Sequence, residues 1–239
     1  MKKPQFVEDQ IYHVYNRGVE KRNIFSDSKD YLRFVHDLFE FNDEDSVPNM
    51  YYYFNSKTNE VEPHYVHKER KTRKLLVDIL AFELMQNHFH LLLTQRRKHG
   101  IVRFMQKLGT GYTMYFNKKY KRVGGLCQGR FKAVHVTSHS HLLYIPFYIH
   151  ANPLLKKYRG STSLGMKSAM KYLKSYRWSS FPDYIGKKNF PSVTNRKFIL
   201  DLFGGVEAYR KETQGMLREW GNTKEKLGSM GDKLLDSFE

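Results

Sequence analysis

Two histidines stand two positions apart in a strongly apolar segment, HFHLLL, where His88 and His90 flank Phe89. On a β-strand, residues i and i+2 face the same side, so both imidazoles would project together and Phe89 would enter the opposite face. Two converging imidazoles form half of a metal site, which carboxylate, amide or phosphate oxygens can complete. A pair of surface histidines is the alternative for so short a motif. Because such a pair is costly in an apolar central strand, the segment predicts a metal half-site.

A second pattern, YIHANP, runs from Tyr148 to Pro153. On a helix, Tyr148 and Asn152 are four positions apart and share one face, so a phenol hydroxyl and an amide oxygen would point together. Pro153 predicts the end of that helix. A core tyrosine followed by an ordinary asparagine cap is the alternative interpretation. His150 lies off the shared face and is expected to be structural.

Elements of a small mixed sheet must position these residues. Gln86 and Asn87 separate two apolar runs and predict the tight turn of a central hairpin. The predicted order is strand 10–15, helix 29–40, strand 76–85, strand 88–94, helix 100–119, strand 133–137 and a helix that starts after Ser138 and stops before Pro153. This order predicts an α+β fold of ferredoxin-like or RRM-like type, a split β-α-β antiparallel sheet with helices on one face.

The domain organisation follows from the same pass. A core domain is expected over residues 1–158, and residues 43–75 are expected to be an insertion, rich first in tyrosine and then in charge. We interpret that insertion as a hairpin followed by a basic loop. Residues 159–239 are basic and irregular, and they predict a C-terminal extension of short helices.

The charge of the chain points to a polyanionic partner. The sequence has 41 Lys and Arg against 24 Asp and Glu, a net charge of +17 and a pI of about 9.7. Neutralising phosphates with such residues releases counterions, so nucleic acid is the favoured partner. A merely basic surface is the alternative. The basic residues cluster, and aromatics that could stack on unpaired bases interleave with them, in the runs 68–74, 96–98, 118–122 and 156–159.

Several protein classes are disfavoured. The first twenty residues do not resemble a signal peptide, and no run approaches the roughly 20 apolar residues that cross a bilayer. The single cysteine, Cys127, excludes an intramolecular disulfide and a cysteine-based zinc site. We therefore expect a cytoplasmic protein of a reducing compartment, with no membrane partner.

Four blocks in one order resemble a known family. They are YHVYNRGVEKRNIF from Tyr12, LAFELMQNHFHLLL from Leu80, GGLCQGRFKAVHV from Gly124 and YIHANP from Tyr148. Together they closely resemble the REP-associated tyrosine transposases, within the bacterial superfamily of single-tyrosine HUH transposases of IS200-like insertion sequences. The resemblance runs from about Tyr12 to Trp178. Gln86 departs from it, since proline is usual there, and residues 43–75 are long.

The resemblance implies a chemistry for matching positions. It implies that His88 and His90 bind a divalent metal, Mg²⁺ or Mn²⁺, that Tyr148 is the nucleophile and that Asn152 is the third ligand. Attack on single-stranded or hairpin DNA would give a 5′-phosphotyrosine and a free 3′-hydroxyl. Because two imidazoles and one amide are neutral, we expect weak metal binding by the free protein and tighter binding with DNA, whose phosphate completes the site.

Contacts with DNA are expected from basic and aromatic residues near these blocks. The candidates are Arg17, Lys107, Tyr112, Lys118, Lys119, Arg130 and Lys132. Gly109 and Gly111 would permit close approach of a phosphate chain or, equally, of another helix. No small-molecule substrate is expected. A monomer is favoured over a homodimer, although some relatives of the superfamily exchange the tyrosine helix between subunits.

Two other functions stay open. A split β-α-β sheet with basic and aromatic residues also describes non-catalytic RNA-binding modules, although the aromatic signature of their strands is absent. A metal nuclease that activates water would leave Tyr148 a structural role. A covalent protein–DNA adduct that depends on Tyr148 distinguishes transposase chemistry from both alternatives.

Overall fold

The computed structural model describes residues 4–45, 51–55, 60–64, 72–157 and 165–222. Its strands are β1 (Ile11–Arg17), β2 (Tyr51–Asn55), β3 (Glu60–His64), β4 (Val77–Met85), β5 (His88–Gln95) and β6 (Lys132–His135). Its helices are α1 (Ser28–Glu40), α2 (Gly100–Tyr120), α3 (His139–Lys157), α4 (Met166–Ser175), α5 (Phe181–Tyr184), α6 (Lys197–Phe203) and α7 (Val206–Asn222), with a 3-10 turn at Val19–Lys21.

The main sheet has four strands in the order β4-β5-β1-β6. Strands β1 and β6 are antiparallel, with Tyr12 opposite His135 and Tyr15 opposite Lys132. The two central strands are β1 and β5. Along the chain, β1 is followed by α1 and then by the β4–β5 hairpin, which is the split β-α-β arrangement that the sequence predicts. The predicted α+β fold class is therefore confirmed. Among the described helices, none is both long and apolar enough to cross a bilayer.

Residue contacts divide the chain into two units. Unit 1 comprises residues 1–78, 86–89 and 93–135, and unit 2 comprises residues 79–85, 90–92 and 136–239, within the described ranges. The division passes through the β4–β5 hairpin, so that hairpin contributes to both units. The boundary expected at residue 158 falls inside unit 2.

Unit 1 is built around an aromatic cluster. Helix α1 starts at a capping box, in which the Asp27 side chain accepts from the Asp30 N–H and the Asp30 side chain accepts from the Asp27 N–H. The helix then buries Phe34, whose ring packs edge-on against Tyr112 of α2 with centroids 4.9 Å apart. Phe89 of β5 lies 5.0 Å from the Phe34 ring. Phe89 is thus a core residue of this unit, as its alternation with the histidines predicts.

Gly111 sets how closely α2 approaches the end of α1. A Cβ atom at this position would lie 2.4 Å from the ring of Phe41, too close for any real contact. The glycine is therefore required for packing between two protein segments. Nothing lies within 4 Å of a Cβ built on Gly109. Of the two interpretations of the glycine pair, helix packing accounts for Gly111.

Unit 2 covers the outer edge of β4 with residues from the C-terminal part of the chain. The Leu84 N–H donates to the Trp178 carbonyl at 2.9 Å, and the Ser180 N–H donates to the Phe82 carbonyl at 3.0 Å. The Asn195 N–H donates to the Ile79 carbonyl at 2.8 Å. Because an edge strand otherwise presents unpaired backbone groups, these bonds make the extension part of the sheet's edge.

Helix α3 corrects the prediction that Pro153 ends it. The helix runs from His139 to Lys157 with Pro146 and Pro153 inside it. Each proline removes one helical N–H donor, at a cost of about 3 kcal/mol or more. Burial offsets that cost, at roughly 1.5–3 kcal/mol for each large apolar side chain, through Ile145, Phe147, Tyr148, Ile149, Ala151 and Leu154, all under 5% exposed. Tertiary packing of α3 therefore outweighs the low helix propensity of its two prolines.

Two further expectations differ from the structure in detail or extent. Strand β1 continues through Arg17, where a turn was expected, because Gly18 still pairs with Cys127 in an isolated bridge. The expected insertion contains a hairpin, β2–β3, in which Tyr51 lies opposite His64. Its expected basic loop, 68–74, lies mostly outside the described residues, as do residues 223–239.

Candidate active site

The β4–β5 hairpin places three metal-binding side chains on one face. Gln86 and Asn87 form a two-residue turn between the strands. Such a turn aligns the residues on either side of it pair by pair, which puts Glu83 opposite His90. A carboxylate oxygen of Glu83 and one ring nitrogen each of His88 and His90 all lie within 4.8 Å of one another. The two histidines predicted to act together therefore do converge, and an acidic residue joins them.

These side chains lie in different environments. Glu83 is 0% exposed and His90 is 1% exposed, whereas His88 is half-buried. The Nδ1 atom of His88 lies 2.8 Å from the side-chain oxygen of Asn87. In the tautomer that donates from Nδ1, the lone pair is on Nε2, which is the arrangement that metal-binding histidines need. Asn87 thus orients the more accessible of the two imidazoles.

Within unit 2, α3 brings the tyrosine and the asparagine to His90. The Asn152 side-chain nitrogen lies 3.4 Å from His90 Nε2, and the rings of Tyr148 and His90 meet edge-on with centroids 5.9 Å apart. A half-turn of the amide about Cγ exchanges its oxygen and nitrogen, so an oxygen ligand is available at the same place. Tyr148 and Asn152 therefore share one face of α3, as their i, i+4 spacing predicts.

His150 holds α3 from its other side. Its Nδ1 lies 2.7 Å from the Tyr209 hydroxyl of α7, and its Nε2 lies 2.7 Å from the Ser180 hydroxyl. Ser180 also accepts from the Phe82 N–H of β4 at 3.0 Å. Burial lowers the pKa of His150 to about 3, so the ring is neutral at physiological pH. This chain of hydrogen bonds fixes the helix between Tyr148 and Asn152, and it supports the structural role expected for His150.

The donor set fits a divalent metal. Ligands of a six-coordinate Mg²⁺ or Mn²⁺ ion stand about 2.1 Å from it, so two of them lie at most about 4.2 Å apart. Neighbouring ligands stand only about 3 Å apart, so the ligand atoms of Glu83, His88 and His90, which lie within 4.8 Å of one another, would move closer together on binding an ion. Asn152, which is 3% exposed, adds an amide beside His90. Two imidazoles, a carboxylate and an amide suit Mn²⁺ and Mg²⁺.

Three of the predicted DNA contacts are engaged inside unit 1. Tyr112 is 2% exposed and donates its hydroxyl to the Ile24 carbonyl at 2.6 Å, so it offers no stacking surface. Lys119 contacts the carboxylates of Asp27 and Asp30 at 2.8 and 2.6 Å. Spacing in the sequence did not reveal these partners, because Asp27 and Asp30 lie 92 and 89 positions away from Lys119 along the chain.

Lys107 is engaged in the same way, through the backbone. Its ammonium donates to the carbonyls of Asp43 and Asp45 at 2.6 and 2.7 Å. Burial lowers the pKa of Lys107, and the neighbouring acidic residues only partly restore it. The side chain therefore holds the segment after α1 and is not displayed to a partner.

The other four predicted contacts are more accessible. Lys118 and Arg130 are exposed, and Lys132 is half-buried. Arg17 donates from Nε to the Gln128 side chain at 2.9 Å. The next residue, Gly18, donates its N–H to the Asn87 carbonyl at 2.8 Å. Arg17 therefore lies beside the start of β5.

Glu83 is the residue that the sequence interpretation missed. The sequence could have predicted that Glu83 lies beside His90, because a two-residue turn at 86–87 aligns position 83 with position 90. The apolar neighbours of Glu83 in LAFELM instead suggested an ordinary buried strand. A carboxylate in the middle of such a run is costly unless it is compensated, and that cost was the clue.

One part of the chain matches a known protein family. Residues 47–152 match the family model described as Transposase IS200 like. This span includes the hairpin with both histidines and the part of α3 that carries Tyr148 and Asn152. Over residues 47–152 the chain is similar to the IS200-like transposases, the family that the sequence blocks resemble.

Two solved structures are similar to the chain at low identity. One is described as "Structure of the REP associates tyrosine transposase bound to a REP hairpin", with 11% identity, a TM-score of 0.46 and coverage of 80% of this chain and 88% of that chain. The other is described as "a putative transposase from deinococcus radiodurans r1", with 15% identity, a TM-score of 0.35 and coverage of 67% and 96%. A search of curated proteins found no significant match.

Proposed function

We propose that this protein is a metal-dependent single-tyrosine transposase of the REP-associated group. It would cleave and rejoin single-stranded or hairpin DNA through a 5′-phosphotyrosine. The observation that carries this proposal is the placement of Tyr148 and Asn152 on one face of α3, both against His90. A nucleophile, an amide and an imidazole that meet in this way are the parts that phosphoryl transfer on a metal site needs.

The metal would be held by His88, His90 and Asn152. When bound, a divalent ion supplies Lewis acid polarisation of the scissile phosphate. The chain's own residues do the rest: Asn87 orients His88 through the 2.8 Å contact. His150, bound on both ring nitrogens, fixes the part of α3 between the nucleophile and the amide. Reacting groups held in this way lower the barrier because their orientation is already set.

Tyr148 would carry the covalent step. Its hydroxyl oxygen bonds to phosphorus as the bond from phosphorus to the 3′ oxygen breaks, which leaves a 3′-hydroxyl. The phenol proton, whose free pKa is about 10, leaves before or during attack. Because one phosphodiester replaces another, the reverse step can join a second strand with no energy-rich cofactor. Tyr148 is 2% exposed, so DNA must displace covering side chains or turn the phenol outward.

DNA would be bound by exposed cations in both units. In unit 1 these are Lys118 and Arg130. In unit 2 one face of α4 carries three lysines at i, i+4 and i+7, opposite the buried Ala169 and Leu173, and the segment 165–182 contains no acidic residue. The three are Lys167, Lys171 and Lys174, all exposed. Phosphate neutralisation by such a face makes affinity fall steeply with salt.

A monomer is the proposed working form. Exchange of the tyrosine helix between subunits would have to break both hydrogen bonds of His150, which run to Tyr209 and Ser180 of the same chain. Each buried group left unsatisfied would cost about 1–3 kcal/mol. Sedimentation equilibrium of the full chain with a DNA hairpin tests this, and a 2:2 complex would refute it.

The decisive experiment looks for a covalent adduct. Full-length protein, Mn²⁺ and end-labelled hairpin DNA from the flanks of its own gene are mixed and resolved on a denaturing gel. We expect a protease-sensitive labelled band that Tyr148→Phe abolishes. Tyr144→Phe is the matched control, because Tyr144 lies one turn earlier on α3 with its ring 6.3 Å from Tyr148, and it should keep the band.

Other outcomes select the alternatives. Cleavage that survives Tyr148→Phe and gives no adduct would indicate a water-using metal nuclease built on the same histidines. Salt-dependent binding with neither cleavage nor adduct would leave a nucleic-acid-binding protein. The proposed transposase chemistry fails in both cases.

A further inference from the structure

Glu83 adds a negative charge to the proposed metal site, and the inference drawn from it rests on the proposed function. The residue lies in the middle of β4, is 0% exposed and has a carboxylate oxygen within 4.8 Å of a nitrogen of each histidine. A buried carboxylate is expensive unless it is hydrogen-bonded, paired or bound to a cation. A carboxylate and two imidazoles that lie this close together are a donor set that can hold a divalent cation.

The ligand set without Glu83 is neutral and suits Mg²⁺ poorly, since that ion prefers oxygen and holds its water. Adding one carboxylate gives the set a charge of −1. In a buried site the attraction between that charge and a divalent ion is much stronger than in water. Two imidazoles and one carboxylate on one face also form the donor set typical of divalent transition metals, for which nitrogen ligands favour Mn²⁺ over Mg²⁺.

We infer that Glu83 is a direct metal ligand, which lets the free protein bind Mn²⁺ before DNA arrives. This differs from the weak binding that the neutral set predicts. Its consequence is that metal binding would precede DNA binding. It also makes Mn²⁺ the tighter-bound ion and Mg²⁺ the weaker one.

The test measures metal binding by the full chain without DNA. Free Mn²⁺ is followed by its electron paramagnetic resonance signal, and the titration is repeated with Mg²⁺ in competition. Glu83→Gln keeps the shape and removes the charge. Glu40→Gln is the matched control, since Glu40 is also buried and its carboxylate lies 3.8 Å from His36 on α1.

We expect Glu83→Gln to weaken Mn²⁺ binding by about tenfold or more, as expected for loss of a charged ligand. Glu40→Gln should leave the affinity unchanged. Circular dichroism of each variant establishes that it is folded, and His90→Ala gives the signal for complete loss of the site. If Glu83→Gln binds Mn²⁺ as tightly as the unaltered chain, the inference is wrong.

Failure of the inference and failure of the proposed function are distinguishable. If the adduct depends on Tyr148 but Glu83→Gln binds Mn²⁺ as tightly as the unaltered chain, then Glu83 is not a metal ligand and the proposed function still stands. Loss of Mn²⁺ binding in Glu83→Gln without any adduct in the unaltered chain would keep the metal ligand and reject the transposase chemistry.

Discussion

Two buried carboxylates, Asp30 in unit 1 and Glu83 in unit 2, have opposite surroundings although both are 0% exposed. Asp30 accepts from the backbone N–H groups of Ser26 and Asp27 at 2.8 and 3.3 Å. It also accepts from three side chains of α2: Tyr115 at 3.0 Å, Lys119 at 2.6 Å and Tyr120 at 2.8 Å. Glu83 instead stands with two imidazoles.

The difference separates a carboxylate held by donors of the fold from one that we propose binds a metal ion. The ammonium of Lys119 compensates the negative charge of Asp30 within the fold. The Asp30 carboxylate therefore has a structural role. Glu83 lies beside two imidazoles, and in our proposal the three side chains share a metal ion. A buried carboxylate among other potential metal ligands is typical of sites that bind something.

Removing the charge of Asp30 should have the largest effect on stability. Asp30→Asn takes a hydrogen-bonded carboxylate from Lys119 and from the capping box of α1. We expect a loss of about 3 kcal/mol in the free energy of unfolding. Urea denaturation measures it. Asp201→Asn, which breaks the exposed pair with Lys197, is the control and should cost under about 0.5 kcal/mol. A loss below about 1 kcal/mol for Asp30→Asn would contradict the structural role.

The same kind of change at Glu83 should alter the response to metal. At a Mn²⁺ concentration ten times the dissociation constant, a bound ion stabilises the folded chain by about 1.4 kcal/mol. Differential scanning fluorimetry should show this gain for the unaltered chain and little or none for Glu83→Gln. If Mn²⁺ raises the melting temperature of Glu83→Gln as much as that of the unaltered chain, then Glu83 does not differ from Asp30 by binding a metal ion.

Removing the compensating cation should cost less than removing Asp30. Lys119→Met leaves Asp30 with its tyrosine and backbone donors, and the lysine side chain is 25% exposed, so solvent screening reduces its contribution. We expect a loss of about 1 kcal/mol in urea denaturation. Lys118→Met, one position earlier on an exposed site, should be neutral. A double mutant with Asp30→Asn should lose less than the sum, because the two residues share one interaction.

Acid should produce the smallest effect, through Asp27. Burial raises the pKa of Asp27, but the hydrogen bonds from Lys119 and from the Asp30 N–H outweigh it, so the pKa lies below its usual value. A depressed pKa stabilises the fold above the unfolded value of about 3.9 and loses that contribution as pH falls further. With the side chain 47% exposed, the effect is a fraction of a kcal/mol. Asp27→Asn should therefore differ from the unaltered chain at pH 7, and the difference measured by urea denaturation should shrink as the pH falls below about 3.9.

The sequence predicts the elements of the fold because their patterns are local. Alternating or helical apolar spacing marks every strand of the main sheet and helices α1 to α3, and the paired histidines follow from strand alternation. The path of α3 through Pro153 could not be predicted, since burial against the distant C-terminal helices decides it. Lys119 was predicted to contact DNA because Asp27, 92 positions earlier, is invisible to spacing.

The covered edge of β4 has a consequence for the synthesis of the chain. Strand β4 stands at one end of the four-stranded sheet. The side chains that bind its carbonyls come 92 and 104 positions later, in Tyr176 and Tyr184. At roughly 5–20 residues per second, the ribosome adds that length in about 5–20 s. During this interval the nascent strand presents an apolar, unpaired edge, and the tie between α3 and α7 does not yet exist. A chain truncated before Trp178 is therefore expected to aggregate, and α3 is expected to become fixed only after Tyr209 has been synthesised.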